Sequence, residues 1–234
     1  MTSPKVLLVG ISGCSSSGKT ITANLLPSAI LLHEDDFFKH DEEIPFDEKY
    51  NVSNWDSPDA LDLPLFRKEL DHIKKTGEIS SKLIHNDNHD STKTIEVRTE
   101  TENAIKQKFA AGFHDSDAKI IIVDGFLMYN DPELAAKFDL KILIRAPYAT
   151  LKKRRAARSG YQTLESFWID PPFYFDEFVY KTYRECHSQF FEGGNVEGAL
   201  KKGAGIHDFI NDDGTDINTA LLWLSELIAS LGNL

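Results

Sequence analysis

Apolar residues come in short unbroken runs along this chain, and each run stops at a chemically loaded residue. Val6 to Ile11, Ala29 to Leu32, Ile120 to Val123 and Leu140 to Ile144 are rich in β-branched side chains and lack polar alternation. That is the pattern of strands buried on both faces of a parallel sheet. A weaker fifth run lies around Ile206 to Ile210. Between the runs the spacing predicts helices from Lys19 to the Pro27 breaker, from Pro58 to Thr76, from Thr150 to Arg158 and from Phe175 to Phe191. Strand and helix therefore alternate as in a doubly wound α/β fold. The helix at Pro58 has Ser57 as its N-cap, proline in the first turn and Gly77 just past its end, with Pro64 placed to split it. A last helix, Ile217 to Leu231, carries Leu221, Leu224, Ile228 and Leu231 on one face, which reads as core packing.

From His85 to Asp117 the pattern is polar and aperiodic, apart from a helical stretch over Ala104 to Phe109, so 85–117 reads as an insertion or flap. His85 and His89 are spaced as helical metal ligands would be, but the surrounding Asn and Asp favour turns, and a solvated loop is the better reading. The sequon Asn51-Val52-Ser53 has no other sign of secretion beside it.

Composition narrows the class. A chain of 234 residues, 41% of them hydrophobic, suits one domain over 1–234. Its net charge of −11 repels nucleic acid, so any polyanion it binds is small and held by local cations. Two cysteines, Cys14 and Cys186, are too few for a disulfide framework. No apolar run approaches the ~20 residues of a membrane span, and no leader pattern precedes the first strand. The expectation is an intracellular protein of the cytoplasm, with the nucleus open and no membrane or nucleic-acid partner.

Gly13-Cys14-Ser15-Ser16-Ser17-Gly18-Lys19-Thr20 matches G-x-x-x-x-G-K-[ST] and lies between an apolar strand and a helical stretch. Glycines let successive backbone N–H groups point at phosphate, and the helix beginning near Lys19 adds its positive end. Lys19 then bridges β- and γ-oxygens of a nucleoside triphosphate, and the Thr20 hydroxyl ligates Mg²⁺. Asp124, at the carboxyl end of the third run, stands where an acid orients magnesium. No N-K-x-D or D-x-x-G segment marks a G protein. His33-Glu34-Asp35-Asp36-Phe37-Phe38 ends the second run, which brings acids toward the phosphates. A carboxylate there accepts a hydroxyl proton and ligates Mg²⁺, which points to a bound alcohol as acceptor. Lys152, Lys153, Arg154, Arg155 and Arg158 form a cationic helix face just after the fourth run. Read alone it suits a nuclear import signal or a solvated face equally; its position makes it a lid over the triphosphate.

These segments, with Asn54-Trp55-Asp56-Ser57-Pro58, Val123-Asp124-Gly125-Phe126 and Arg145-Ala146-Pro147-Tyr148 through Tyr161-Gln162, resemble the nicotinamide riboside kinases, relatives of uridine kinases, and fungal members above all. The resemblance spans nearly the whole chain. It implies a P-loop NTPase fold with a mostly parallel sheet of about five strands, helices on both faces and a small helical lid over 148–170. It also implies ATP and Mg²⁺ as co-substrate and metal, with transfer to the 5′-hydroxyl of nicotinamide riboside, and of nicotinic acid riboside, for NAD biosynthesis. Asp35 matches the family's general base, ahead of Asp36, and Asp36, Phe37 and Phe38 continue the substrate wall. Trp55, Asp56, Arg155, Tyr161 and Gln162 match substrate contacts, while Arg154 and Arg158 match lid arginines on ATP. Thr20, Asp35 and Asp124 form the metal set. Family members often carry Glu where Asp124 stands and Tyr where Trp55 stands. A uridine or cytidine kinase is the alternative enzyme, and a nucleotide-switched regulator the alternative class.

Overall fold

The computed structural model describes residues 5–26, 29–80, 97–114 and 118–233. Five strands, β1 (Val6–Ser12), β2 (Ile30–His33), β5 (Lys119–Gly125), β6 (Leu140–Arg145) and β9 (His207–Ile210), form a sheet in the order β2-β5-β1-β6-β9, parallel throughout. Two short antiparallel ribbons lie apart from it: β3 (Phe46–Asp47) with β4 (Val52–Ser53), and β7 (Tyr161–Gln162) with β8 (Phe167–Trp168).

Alternation along the strands sorts the core into two layers. Leu7, Val9, Ile11, Ile120 and Ile122 face α1 (Lys19–Asn24), α3 (Thr99–Gly112) and α7 (Ile217–Ser230), meeting Ala23, Ile105, Leu221, Leu224 and Ile228. Val6, Leu8, Ile121 and Val123 face the opposite way, onto Phe66, Leu70 and Ile73 of α2 (Leu63–Thr76) and Leu134 of α4 (Pro132–Ala135). The side-chain period of two makes both layers obligatory, and the doubly wound arrangement follows. A third cluster joins Leu143 of β6 and Leu151 of α5 (Tyr148–Ala156) to Tyr174, Phe175 and Phe178, under the lid region.

Three element boundaries differ from the sequence expectation. The single helix expected from Pro58 is a 3₁₀ turn, Pro58–Ala60, followed by α2, whose N-cap Asp62 accepts from the Leu65 amide at 2.9 Å. Pro64 splits nothing, since it sits in the first turn, where its missing N–H costs nothing. The helix expected over Phe175 to Phe191 is a π turn, Phe175–Tyr180, then α6 (Lys181–His187) and a 3₁₀ turn. Within the polar stretch, α3 runs well beyond Ala104 to Phe109 and packs on α7, with Gly112 so near that a Cβ there would lie 2.5 Å from the Ala229 carbonyl oxygen. His85 and His89 lie outside the described residues. Among the described residues no helix is long and apolar enough to cross a membrane.

One buried hydroxyl ties the sheet's centre. Tyr129 Oη lies 2.6 Å from the Gly10 carbonyl oxygen of β1, and it accepts from the Ile142 amide of β6 at 2.9 Å. Gly10 is small for this reason: a Cβ would stand 2.8 Å from that hydroxyl. Tyr129→Phe leaves buried backbone groups unpaired, so urea unfolding is expected to show a loss of about 1–3 kcal/mol; an unchanged midpoint would remove the hydroxyl from the account.

Candidate active site

The loop between β1 and α1 is shaped by close approach. A Cβ on Gly13 (φ 153°) would stand 2.1 Å from the Ile144 carbonyl oxygen, and one on Gly18 (φ 93°) 2.4 Å from Asn211 Nδ2. Asn211 is held there because its Nδ2 donates to the Ser17 carbonyl at 2.8 Å. Ser16 adopts φ 69°, the left-handed region that non-glycine residues rarely visit. The Ser16 and Ser17 hydroxyls are buried with no hydrogen-bond partner among the described residues. Backbone strain and unpaired donors in one turn describe a cradle for an anion. Cys14, also in this loop, is buried and packs with the lid-side cluster, and burial, with Asp56 nearby, pushes its thiol up to about 12.

Asp124 stands beside the loop in β5, opposite both Ile11 of β1 and His33 of β2. Thr20 Oγ1 donates to its Oδ2 at 2.5 Å, and His33 Nδ1 pairs with its Oδ1. Burial opposes the Asp124 charge, but the His33 hydrogen bond and the nearby Lys19 ammonium outweigh it and hold the carboxyl below its usual range. The same hydrogen bond raises His33.

After His33 the chain makes a 3₁₀ turn, Glu34–Phe37, and the four side chains part company. Glu34 is fully buried, accepts from the amides of Phe126 (2.5 Å) and Leu127 (3.0 Å), and is raised by burial to about 7. Gly125 makes room for it, since a Cβ there would lie 2.5 Å from Glu34 Oε2. Asp35 lines the cleft and is raised by burial, against the pull of Lys19. Asp36 and Phe37 do not line it. Both are buried, and Phe37 stacks on Phe66 of α2 at 4.3 Å between ring centroids, inside the core. Their expected place in the substrate wall fails because a tight turn sends successive side chains in different directions. Phe38 returns to the cleft, edge-on to Trp55 at 5.7 Å.

The cleft encloses about 210 Å³ and gathers Ser15, Ser16, Gly18, Lys19 and Thr20 with Asp35, Phe38, Trp55 and Asp56. Arg155, Arg158, Tyr161 and Gln162 close it from the lid side. Trp55 is fixed through its own amide, which donates to the Tyr174 hydroxyl at 2.8 Å. Arg155 is the hub of this side of the cleft. Its Nε and Nη2 grip Asp170 at 2.6 and 3.0 Å, its Nη1 donates to Ser15 Oγ at 2.7 Å, and Asp56 lies 3.6 Å away. Burial works against the Arg155 charge, but Asp56 and Asp170 outweigh it. For Asp56 burial wins, and its pKa is raised despite Arg155. The guanidiniums of Arg155 and Arg158 sit 4.3 and 5.2 Å from the centre of the Tyr161 ring. Arg154 does not reach the cleft: it donates to the Asn211 carbonyl at 3.0 Å and pairs with Asp213 at 3.3 Å, behind the phosphate loop.

Trp168, Asp170 and Tyr174 belong to the site or its support and were missed in sequence, and His33, which opens the acid string, was given no role of its own. Asp170 and Tyr174 carry no local motif.

No protein-family model matches the chain. Individual relatives do. A nicotinamide riboside kinase of Saccharomyces cerevisiae is 55% identical over 238 residues, covering 99% of this chain and 99% of that protein. One of Eremothecium gossypii is 45% identical over 228 residues, covering 96% of this chain and 93% of that protein. One of Schizosaccharomyces pombe is 38% identical over 200 residues, with 84% and 85% covered.

Removing the Arg155 charge tests the electrostatics without any substrate. Arg155→Met leaves the buried Asp56 carboxylate without its guanidinium, and about 3–5 kcal/mol of stability is expected to go near neutral pH. The buried Asp56 carboxyl has a pKa above that of the unfolded chain, so this penalty exists above the ordinary carboxylate pKa and shrinks as acid protonates it. The gap between variant and parent in urea unfolding should therefore narrow from about pH 7.5 to about pH 5; a gap that widens on acidification contradicts the pairing.

Proposed function

The chain belongs to the nicotinamide riboside kinases, and from that membership and the cleft we propose that it transfers the γ-phosphoryl group of ATP to the 5′-hydroxyl of nicotinamide riboside, forming the mononucleotide for NAD biosynthesis. Nicotinic acid riboside, which differs in the ring substituent, is a second acceptor. The observation that carries this reading is the single cleft in which the phosphate loop, Asp35 and the Trp55-Asp56 pair face one another.

The fit of a triphosphate rests on the cradle: two glycine positions that a Cβ would block and two buried hydroxyls without partners. Lys19 neutralises the β- and γ-oxygens, and Arg158, which lines the cleft, offsets charge on the transferred group. Arg154 instead holds the lid helix to the Asn211 loop. The oxygen-bearing set of Thr20, Asp124 and Asp35 suits a hard cation. Mg²⁺ takes one or two carboxylates and leaves its other positions to phosphate and water, so these residues fit it. When bound, it would supply positive charge that offsets the charge on the transferring phosphoryl group.

On the acceptor side Asp56 takes hydrogen bonds from the vicinal ribose hydroxyls and thereby aims the 5′-hydroxyl at Asp35. Asp35, its carboxylate made more basic by burial, takes the hydroxyl proton as the phosphoryl group arrives. The pyridinium ring of nicotinamide riboside carries a fixed positive charge. Two guanidiniums already lie over Tyr161, so the stronger cation–π partner is Trp55, within a wall that includes Phe38 and Trp168. Such a contact is worth about 0.5–2 kcal/mol.

Asp35→Asn is expected to lower kcat about 10²- to 10⁴-fold with ATP affinity by calorimetry little changed; turnover near that of the parent removes Asp35 as base. Asp56→Ala is expected to weaken use of the nucleoside by about 1.5–3 kcal/mol in kcat/KM, and an effect on ATP alone would place it elsewhere. In a panel of nucleosides, uridine turning over much faster than nicotinamide riboside would overturn the assignment.

A further inference from the structure

Two parts of the chain meet across the mouth of the cleft, although neither carries a group used in the chemistry above. One is the 3₁₀ turn Asp41–Glu43, just past Phe38; the other is the tip of the β7–β8 hairpin, Thr163 to Ser166. Asp41 Oδ2 accepts from Thr163 Oγ1 at 2.9 Å and from Ser166 Oγ at 2.6 Å. Beside it, His40 Nδ1 pairs with Glu165 Oε1 at 2.9 Å. The hydroxyls are aimed by their own turn, because the Ser166 amide donates to Thr163 Oγ1 at 2.7 Å and the Thr163 amide to the Ser166 carbonyl at 2.9 Å.

The two kinds of contact differ in weight. His40 and Glu165 are more than half exposed, and an exposed ion pair contributes little. Hydroxyl bonds to a carboxylate are charge-assisted and stronger, and Thr163 is buried where it makes one. The other Asp41 oxygen, Oδ1, is buried with no partner among the described residues, so the hairpin bonds through Oδ2 are what offset the desolvation of this carboxylate. The strands joined at that tip supply Tyr161, Gln162 and Trp168 to the cleft, and no residue of the contact belongs to the phosphate loop.

We propose that Asp41 is a positioning residue for the nucleoside: by clasping the Thr163–Ser166 tip it holds Tyr161, Gln162 and Trp168 over the acceptor half of the cleft. This rests on the acceptor reading given above, and the two can be told apart. The clasp is tested first without substrate, by amide hydrogen exchange over residues 161–168 of the intact protein. Asp41→Ala is expected to speed exchange there at least tenfold while the β1 and β5 amides stay protected, and Asp41→Asn, which keeps an acceptor oxygen, to give a smaller change. Unchanged exchange at the hairpin overturns the clasp whether or not any nucleoside is a substrate; faster exchange throughout assigns Asp41 to stability alone and overturns it equally. Kinetics then test positioning. Asp41→Ala should raise the KM for nicotinamide riboside about tenfold and leave the KM for ATP within twofold, and adding Ser166→Ala should worsen it little, since both act through one contact. Independent, multiplying effects, or equal rises in both KM values, overturn the role. A parent protein that phosphorylates no pyridine nucleoside would sink the acceptor reading while the exchange result still judged the clasp.

Discussion

A single carboxylate decides the geometry of the cleft. Asp124 is almost wholly buried, and a buried charge persists only when it is paired and hydrogen-bonded. Its two oxygens are taken by groups from different elements, Thr20 at the start of α1 and His33 at the end of β2. Parallel register makes this possible, because Ile11 and His33 both lie opposite Asp124 on neighbouring strands. The phosphate loop and the acidic turn are thereby locked to the same point, although the three segments are remote in sequence.

Around that point charges of both signs meet. The chain as a whole is strongly acidic, yet the cleft sets Lys19, Arg155 and Arg158 among Asp35, Asp56 and an aromatic wall, with Lys19 near enough to pull on Asp35. Arg155 is surrounded by Asp170, Ser15 and Asp56, so it ties α5 to the phosphate loop and to the segment after β8. Under the proposed function, an anionic co-substrate meets the cations and a cationic acceptor the carboxylates and rings of one small volume.

How far all this was legible in the chain depended on range. The strands could be read because a strand buried on both faces has no polar alternation, and the phosphate loop because its glycines answer a local steric demand. The start of α2 was misplaced at Ser57, because Ser57-Pro58 does cap a short 3₁₀ turn, while the Asp62 cap that opens α2 lies five residues further on, beside the Pro64 that read as a break. In the run from Lys152 to Arg155 adjacent arginines point apart around the helix, one into the cleft and one behind the loop, and composition alone cannot rank them. Phe37 and Phe38 pose the same difficulty in a tighter turn. Tyr174 was invisible for a simpler reason: the amide it receives, that of Trp55, lies 119 residues away.

The cysteine in the phosphate loop has a consequence for the cell's chemistry. Only a thiolate attacks oxidants and electrophiles, and a thiol with its pKa near 12, sealed from solvent, is almost never one. Peroxide or an alkylating reagent should therefore react slowly at Cys14, although its sulfur lies one residue from the first glycine of the loop.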